Sequence, residues 1–190
     1  MTRLGRPRSE QVEQAIIDAT IALLAEHGYL GLSIEAIAAQ AGVAKTTVYR
    51  RWPGKDELIL AALSRLKGPL ATPAGEDVRA DLLYLLDHVR AQWTNGVHGR
   101  LMHQLSADGW DRPQQYREFR ERLIAPRTRV MLDVLQRGID EGLIHEGTDL
   151  RAVHEMLVSP ILAAAFTHQE LPSHDRLAFY LDTVLAGLRP

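Results

Sequence analysis

The chain has 190 residues, of which 46% are hydrophobic and 24% charged, values typical of a globular protein that buries a core. Its net charge of −2 excludes a uniformly polybasic protein, and the absence of cysteine excludes disulfides, thiolate zinc sites and cysteine nucleophiles. Residues 1–67 carry 9 Lys and Arg against 7 Asp and Glu, whereas the remainder carries 13 against 17, so the basic first third favours an anionic partner.

Four helices are predicted in the first third of the chain. The first covers residues 9–27 and ends at Gly28, and its apolar positions recur with the helical period of 3.6: Val12, Ile16, Ala19, Leu23 and Leu24. Ser33 is placed to cap the second helix, and a short third helix covers roughly residues 44–52. A proline-glycine break precedes the fourth helix, which opens with Lys55.

The rest of the chain is also predicted to be helical. Residues 68–77 contain two prolines and two glycines and form the predicted domain boundary. A fifth helix follows, with an apolar face of Val78, Leu82, Leu85, Leu86, Val89 and Trp93. Residues 94–123 are less regular, and Pro126 is predicted to start the next helix because proline suits the first turn. Two strongly apolar helices, residues 149–167 and 175–188, complete an all-α chain.

The second and third helices have the pattern of a helix-turn-helix motif. Ala38 is the small residue where two helices cross, Gly42 tolerates positive φ in the turn, and Val48 faces the core. Four side chains then point away from the core on one face: Lys45, Thr46, Tyr49 and Arg50. Such a face suits base edges and phosphates, although a solvated amphipathic helix before a Pro-Gly turn has a similar pattern.

Other residues of this region are suited to the DNA backbone. Ser33 and Lys55 lie at the starts of the second and fourth helices, where free backbone N–H groups favour phosphates. Arg51 either reaches the backbone or is solvated. Trp52 is expected to wedge between helices, because the base pairs of duplex DNA are closed to it.

A basic arm is predicted at residues 1–8, ahead of the first helix. It carries three arginines and no acid: Arg3, Arg6 and Arg8. A short disordered arm of this kind can enter a minor groove, where the negative potential favours arginine. A solvated basic terminus is the alternative interpretation.

Residues 31–63, GLSIEAIAAQAGVAKTTVYRRWPGKDELILAAL, resemble the N-terminal domain of the tetracycline-repressor-like (TetR) family of bacterial transcription regulators. The resemblance covers about residues 9–63. It implies an all-α fold, with a three-helix helix-turn-helix DNA-binding domain in residues 9–67 and a larger C-terminal helical domain in residues 68–190 for ligand binding and dimerisation. It further implies a homodimer, usually a repressor, that binds a palindromic operator and releases it when a small molecule enters the C-terminal domain.

The resemblance also implies which residues contact DNA. The family's usual base contacts fall on Lys45, Thr46, Tyr49 and Arg50. Its usual phosphate contacts fall on Ser33, Thr47, Tyr49, Arg51 and Lys55. Ala44 and Gly54 depart from the pattern, since a capping serine or threonine is commoner at both positions, and the third helix is expected to start less firmly.

The last two helices are the predicted dimerisation surface, pairing into a four-helix bundle across a two-fold axis. The alternative is that they close the core of their own protomer. A mostly apolar ligand pocket is predicted from residues of this region: Tyr84, His88, Trp93, Met102, His103, Trp110, Phe119, Met131 and Met156. The six arginines between residues 112 and 129 are interpreted as a solvated face rather than an anion site.

Enzymatic motifs are absent from the sequence. It contains no G-x-S-x-G, H-E-x-x-H or G-x-G-x-x-G, and its eight histidines show no metal-ligand spacing. Neither a signal peptide nor a run long enough to cross a bilayer is present, so we expect a cytoplasmic protein without a cofactor or metal. A DNA-anchored helical adaptor, regulated by a protein partner rather than a small ligand, is the alternative function.

Overall fold

The computed structural model describes residues 6–94, 96, 99, 101 and 113–190, and it describes the side-chain surroundings of all of these except 6–8, 113, 115 and 116. No strand occurs among these residues, which confirms the predicted all-α fold. The helices are α1 Arg6–Gly31, α2 Ile34–Gln40, α3 Lys45–Tyr49, α4 Lys55–Lys67, α5 Val78–Thr94, α6 Pro113–Phe119 with a π-helical turn Arg120–Ile124, α7 Ala125–Asp140, α8 Leu150–Phe166 and α9 His174–Gly187. Within the described ranges, no helix combines the length and the apolar character that a membrane span requires.

The chain forms two compact units. The first unit comprises residues 1–69 and 100–123, and the second comprises residues 70–99 and 124–190. The chain therefore passes from the first unit to the second within the Pro- and Gly-rich segment at residues 68–77.

Helix α1 begins three residues earlier than the sequence pattern predicts. Arg6 is its first residue, so residues 6–8 form its first turn instead of belonging to a disordered arm. Proline at the second position favours this start, since its fixed φ suits a helix and its missing N–H has no partner in a first turn. At the other end, Gly28 has φ +67 and interrupts the helix where a C-cap is predicted.

The core of the first unit forms where α1 packs against α4 and α2, and where α2 packs against α3. Five large side chains are almost fully buried there: Ile16, Leu24, Ile37, Leu58 and Leu63. They come from three different helices, so the position of α3 is fixed by a core that spans α1, α2 and α4.

The second unit packs α5 against α7, α8 and α9 around a core that includes Leu82, Leu86, Leu135, Leu157, Ile161, Leu177 and Leu181. Polar ties join the same helices. Arg79 of α5 binds Asp182 of α9 through two hydrogen bonds of 2.5 and 2.8 Å. The buried carboxylate of Asp81 accepts from Arg137 of α7 at 2.6 Å and from the backbone N–H of Gly75 at 3.0 Å.

Candidate nucleic-acid interface

The turn between α2 and α3 is closed by backbone hydrogen bonds. The N–H of Gly42 donates to the carbonyl of Ala39 at 3.2 Å, and that of Val43 donates to Ala38 at 2.9 Å. Gly42 has φ +66, and no atom lies within 4 Å of the position that a Cβ would take. Glycine is therefore favoured here by the backbone conformation and not by crowding, which confirms its predicted place in the turn.

Helix α3 presents two sharply different faces. Val48 is completely buried, as the motif predicts, and holds α3 against the core. Four side chains are exposed on the outside of the helix: Lys45, Thr46, Tyr49 and Arg50. Thr47 is half-buried beside them. This face offers ammonium, hydroxyl, phenol and guanidinium groups within two helical turns, the chemistry that recognition of a major groove requires.

Helices α2, α3 and α4 differ in how their N-termini are capped. The Oγ of Ser33 accepts from the N–H of Ala36 at 3.1 Å, so Ser33 is the N-cap of α2, as predicted. Ala44 and Gly54 are the N-caps of α3 and α4, and neither supplies a side-chain cap bond. The first turns of α3 and α4 are therefore left without the side-chain acceptor that a serine would provide.

An acid and a base meet at the edge of this face. The ammonium of Lys45 donates to the carboxylate of Glu35 in the first turn of α2, and it lies 5.6 Å from the centre of the Tyr49 ring. This hydrogen bond is the main cause that raises the pKa of Lys45 and lowers the pKa of Glu35. Both groups therefore stay charged near neutral pH, and Lys45 is held beside a carboxylate in the protein without DNA.

Lys55 is built into the folded structure. Its ammonium donates to the backbone carbonyls of Tyr29 at 2.7 Å and Leu32 at 2.9 Å, and it lies 4.3 Å from the centre of the Tyr29 ring. The hydroxyl of Tyr29 in turn donates to Asp56. Lys55 therefore ties α4 to the end of α1 and to the segment that follows it, and the ammonium that would make the predicted phosphate contact already makes these contacts.

Arg51 and Trp52 also connect helices within the first unit. The guanidinium of Arg51 donates to the carbonyl of Thr47 at 3.3 Å and to Ser9 Oγ at 3.2 Å, which joins the end of α3 to α1. Trp52 is half-buried and lines a groove beside Ile17 of α1 and Ala61 of α4. Arg51 is therefore held by contacts within the first unit and is not simply solvated. Its predicted phosphate contact remains a prediction.

Several predicted residues lie outside the part of the chain that the structure describes. Arg3 lies outside the described residues, as do Met102, His103 and Trp110, and the side chains of Arg6 and Arg8 are not described. The structure distributes the remaining predicted pocket residues over different environments. Met131 is buried in the second unit and Phe119 in the first, His88 and Trp93 are half-buried, and Tyr84 and Met156 are exposed.

Sequence reasoning did not find Glu35, Tyr29 or Asp56 as partners in this region. Glu35 is ten residues from Lys45, a separation that matches no helical neighbour rule, because the turn between α2 and α3 brings the two together. Tyr29 and Asp56 are 27 residues apart. A tyrosine just after a helix-ending glycine is the one local signal, and it gives no indication of its partner.

Two family models match the chain. The model of bacterial regulatory proteins of the tetR family matches residues 16–62, and that of the tetracyclin repressor-like C-terminal domain matches residues 72–184. An uncharacterized HTH-type transcriptional regulator of Mycobacterium bovis is 27% identical over 174 residues, 91% of this chain and 85% of that protein. An HTH-type transcriptional repressor of Mycobacterium tuberculosis is 28% identical over 189 residues, 95% of this chain and 91% of that protein. The crystal structure of a TetR family transcription regulator has a TM-score of 0.68 and 26% identity, and covers 95% of this chain and 100% of that one.

Proposed function

Because this chain belongs to the TetR family and is a DNA-binding helix-turn-helix transcriptional regulator, we propose that it represses its target genes as a homodimer. The family is one of transcription regulators and not of enzymes. In the proposed mechanism the dimer binds a palindromic operator, and a small molecule that enters the C-terminal helical domain releases it. The observation that carries the proposal is the exposed polar face of α3 opposite the buried Val48.

The proposed division of labour on DNA follows from side-chain chemistry. Lys45 and Arg50 donate to the O6 and N7 acceptors of guanine, and the methyl group of Thr46 meets thymine. Tyr49 is 47% exposed, and its phenol reaches a base or a phosphate. A second set of side chains around the motif binds phosphates: Ser33, Thr47, Arg51 and Lys55.

Dimerisation through α8 and α9 is supported by apolar side chains that the protomer leaves exposed. Met156 is 60% exposed and Phe179 is 66% exposed. Seven positions of α8 are exposed, and five of them recur at helical spacing and are small or apolar: Ala152, Met156, Ser159, Ala163 and Phe166. The other two, Arg151 and Glu155, are charged. A stripe of this kind is buried when it packs against a second copy across a two-fold axis.

Repression and release rest on the relatives and on the second unit. The relative from Mycobacterium tuberculosis is named a repressor, which supports that direction of regulation here. The match to the C-terminal family model includes all of helices α5, α7 and α8 of the second unit. Within that unit, Trp93 packs edge-to-face on Phe166 with ring centres 5.4 Å apart, and these aromatic side chains suit a mostly apolar effector.

Selection of genomic fragments by the purified full-length protein tests this proposal. We expect the enriched fragments to share an inverted repeat, with half-sites one helical turn or a multiple apart. In solution the protein should have a mass near twice 21.2 kDa. Adding small molecules suggested by the neighbouring genes should release the DNA.

Two outcomes would contradict parts of the proposal. A monomer that binds fragments without a repeat would overturn the symmetric repressor. Operator binding that no small molecule relieves, but that a co-purifying protein does, would favour the adaptor instead.

A further inference from the structure

One acidic side chain stands on the face that is proposed to meet a polyanion. Glu35 projects from the first turn of α2, with its side chain 63% exposed, and accepts from the ammonium of Lys45 on α3. Lys45 in turn approaches the Tyr49 ring. Glu35, Lys45 and Tyr49 therefore form a continuous row across α2 and α3, which we call the acid–base row.

The stability of the fold does not explain this pair. Exposed ion pairs contribute little to folding free energy, because water screens the charges and two long side chains lose conformational freedom. The pair instead determines where the Lys45 ammonium lies before DNA arrives. It also places a carboxylate where phosphate contacts would form, which costs binding energy on any DNA sequence.

The same pair matches the major-groove edge of one kind of base pair. A guanine presents its O6 and N7 acceptors there, and the paired cytosine presents its N4 amino donor beside them. An ammonium next to a carboxylate complements this order, because one ammonium donates to the two adjacent guanine acceptors and the carboxylate accepts from the cytosine amino group, whereas in an A·T pair the adenine N6 donor lies between the N7 and O4 acceptors. On the phosphate backbone, by contrast, the carboxylate finds only negative charge.

We propose that Glu35 is a specificity-determining residue, which holds Lys45 for a G·C pair of the operator and penalises binding to other DNA. This inference rests on the proposed function, since it needs α3 to read a major groove. It assigns to an acid on α2 a role that the basic residues of α3 alone do not provide. Its consequence is a larger ratio of operator affinity to random-DNA affinity.

The test replaces Glu35→Gln in the full-length protein, which removes the charge and keeps the side-chain length. The affinities for a selected operator duplex and for a random duplex of equal length are measured at salt concentrations from about 50 to about 200 mM. Over this range, binding that depends on phosphate contacts weakens strongly. We expect tighter binding of the random duplex and a salt dependence steeper by about 0.9 per protomer, because Lys45 then displaces one more counterion. The ratio of operator to random affinity should fall on the order of tenfold, since the uncharged amide oxygen is a weaker acceptor for the cytosine amino group and no longer holds Lys45 by charge.

Glu26→Gln is the matched control, because Glu26 is an exposed acid on α1 and its loss changes the net charge equally. The control should leave the affinity ratio unchanged. If Glu35→Gln and the wild type have the same ratio of operator to random affinity, and the wild type still prefers the operator, the inference is overturned and the proposed function is not. A wild type that binds both duplexes equally would overturn both.

Discussion

Replacing Lys55 by methionine tests whether this lysine holds the DNA-binding unit together. The substitution keeps the length and apolar stem but removes the ammonium that donates to Tyr29 and Leu32 at 2.7 and 2.9 Å. A hydrogen bond to a charged group contributes about 1.5–3 kcal/mol, and a cation over an exposed ring about 0.5–1 kcal/mol. Because Lys55 is half-buried, water partly replaces these partners. We therefore expect a loss of about 2 kcal/mol, below the sum of the separate contributions.

Amide hydrogen exchange of the full-length protein measures this loss locally. A loss of about 2 kcal/mol in opening free energy corresponds to roughly 30-fold faster exchange in residues 29–40. Arg65→Met is the matched control, because Arg65 lies on the same helix, carries the same charge and makes one exposed hydrogen bond to Gln14 at 2.9 Å. If Lys55→Met exchanges no faster than the control, Lys55 does not act as a structural tie, and the contacts described above have no energetic consequence.

Tyr49→Ala should weaken operator binding on the order of tenfold or more without lowering stability, because the side chain is exposed; titration and thermal unfolding measure the two effects. Deleting residues 1–8 should lower affinity and flatten its salt dependence, because fewer arginines then displace counterions. Burial lowers the pKa of His154, so the unfolded chain binds more protons than the folded protein below about pH 6.5, and stability should fall as the pH drops. The urea concentration at the midpoint of unfolding measures this fall, and His154→Gln should make it smaller. Asp81→Ala should lower the free energy of unfolding by about 3 kcal/mol, because it removes the buried carboxylate and leaves the partly buried Arg137 with only Glu141, 3.4 Å away, as an acidic partner.

Each of these predictions has an outcome that would contradict it. Wild-type operator affinity in Tyr49→Ala would remove α3 from the interface. An unchanged salt slope after the deletion would show that the arginines of residues 1–8 make no phosphate contact. Parallel pH curves for His154→Gln and the wild type would exclude a role for that imidazole, and an unchanged unfolding free energy in Asp81→Ala would exclude an energetic role for the buried ion pair.

Local rules predicted the features of the motif that depend on neighbouring residues. Ser33 as a cap, Gly42 at positive φ and Val48 in the core all follow from positions within one or two turns, and the structure confirms each. The predicted all-α fold is confirmed for the same reason, since each helix has its own apolar period. The predicted start of α1 is wrong by three residues, because Pro7 favours the first turn of a helix while the apolar period that indicates the helix begins only at Val12.

Contacts between distant segments could not be predicted in this way. Lys55 binds backbone carbonyls of Tyr29 and Leu32, and every residue carries such a carbonyl, so the sequence gives no sign of this choice. From the sequence, Glu35 is an ordinary acid in the first turn of a helix, where the helix dipole favours it. Its contact with Lys45 depends on the position of α3 in the folded protein. The predicted DNA contacts therefore fall into two groups. Ser33, Arg51 and Lys55 already make contacts within the protein, whereas Thr46, Tyr49 and Arg50 are exposed on α3. Lys45 is exposed there too, but it is paired with Glu35.

A single titration determines whether α3 recognises a specific DNA sequence. The purified wild-type protein is titrated with a selected operator duplex and with the same duplex after its half-site bases are scrambled, at one fixed salt concentration near physiological. A specific reader of bases should bind the operator at least about 10³-fold more tightly. Equal affinities for the two duplexes would exclude base recognition by α3, because phosphate contacts alone would then explain all of the binding.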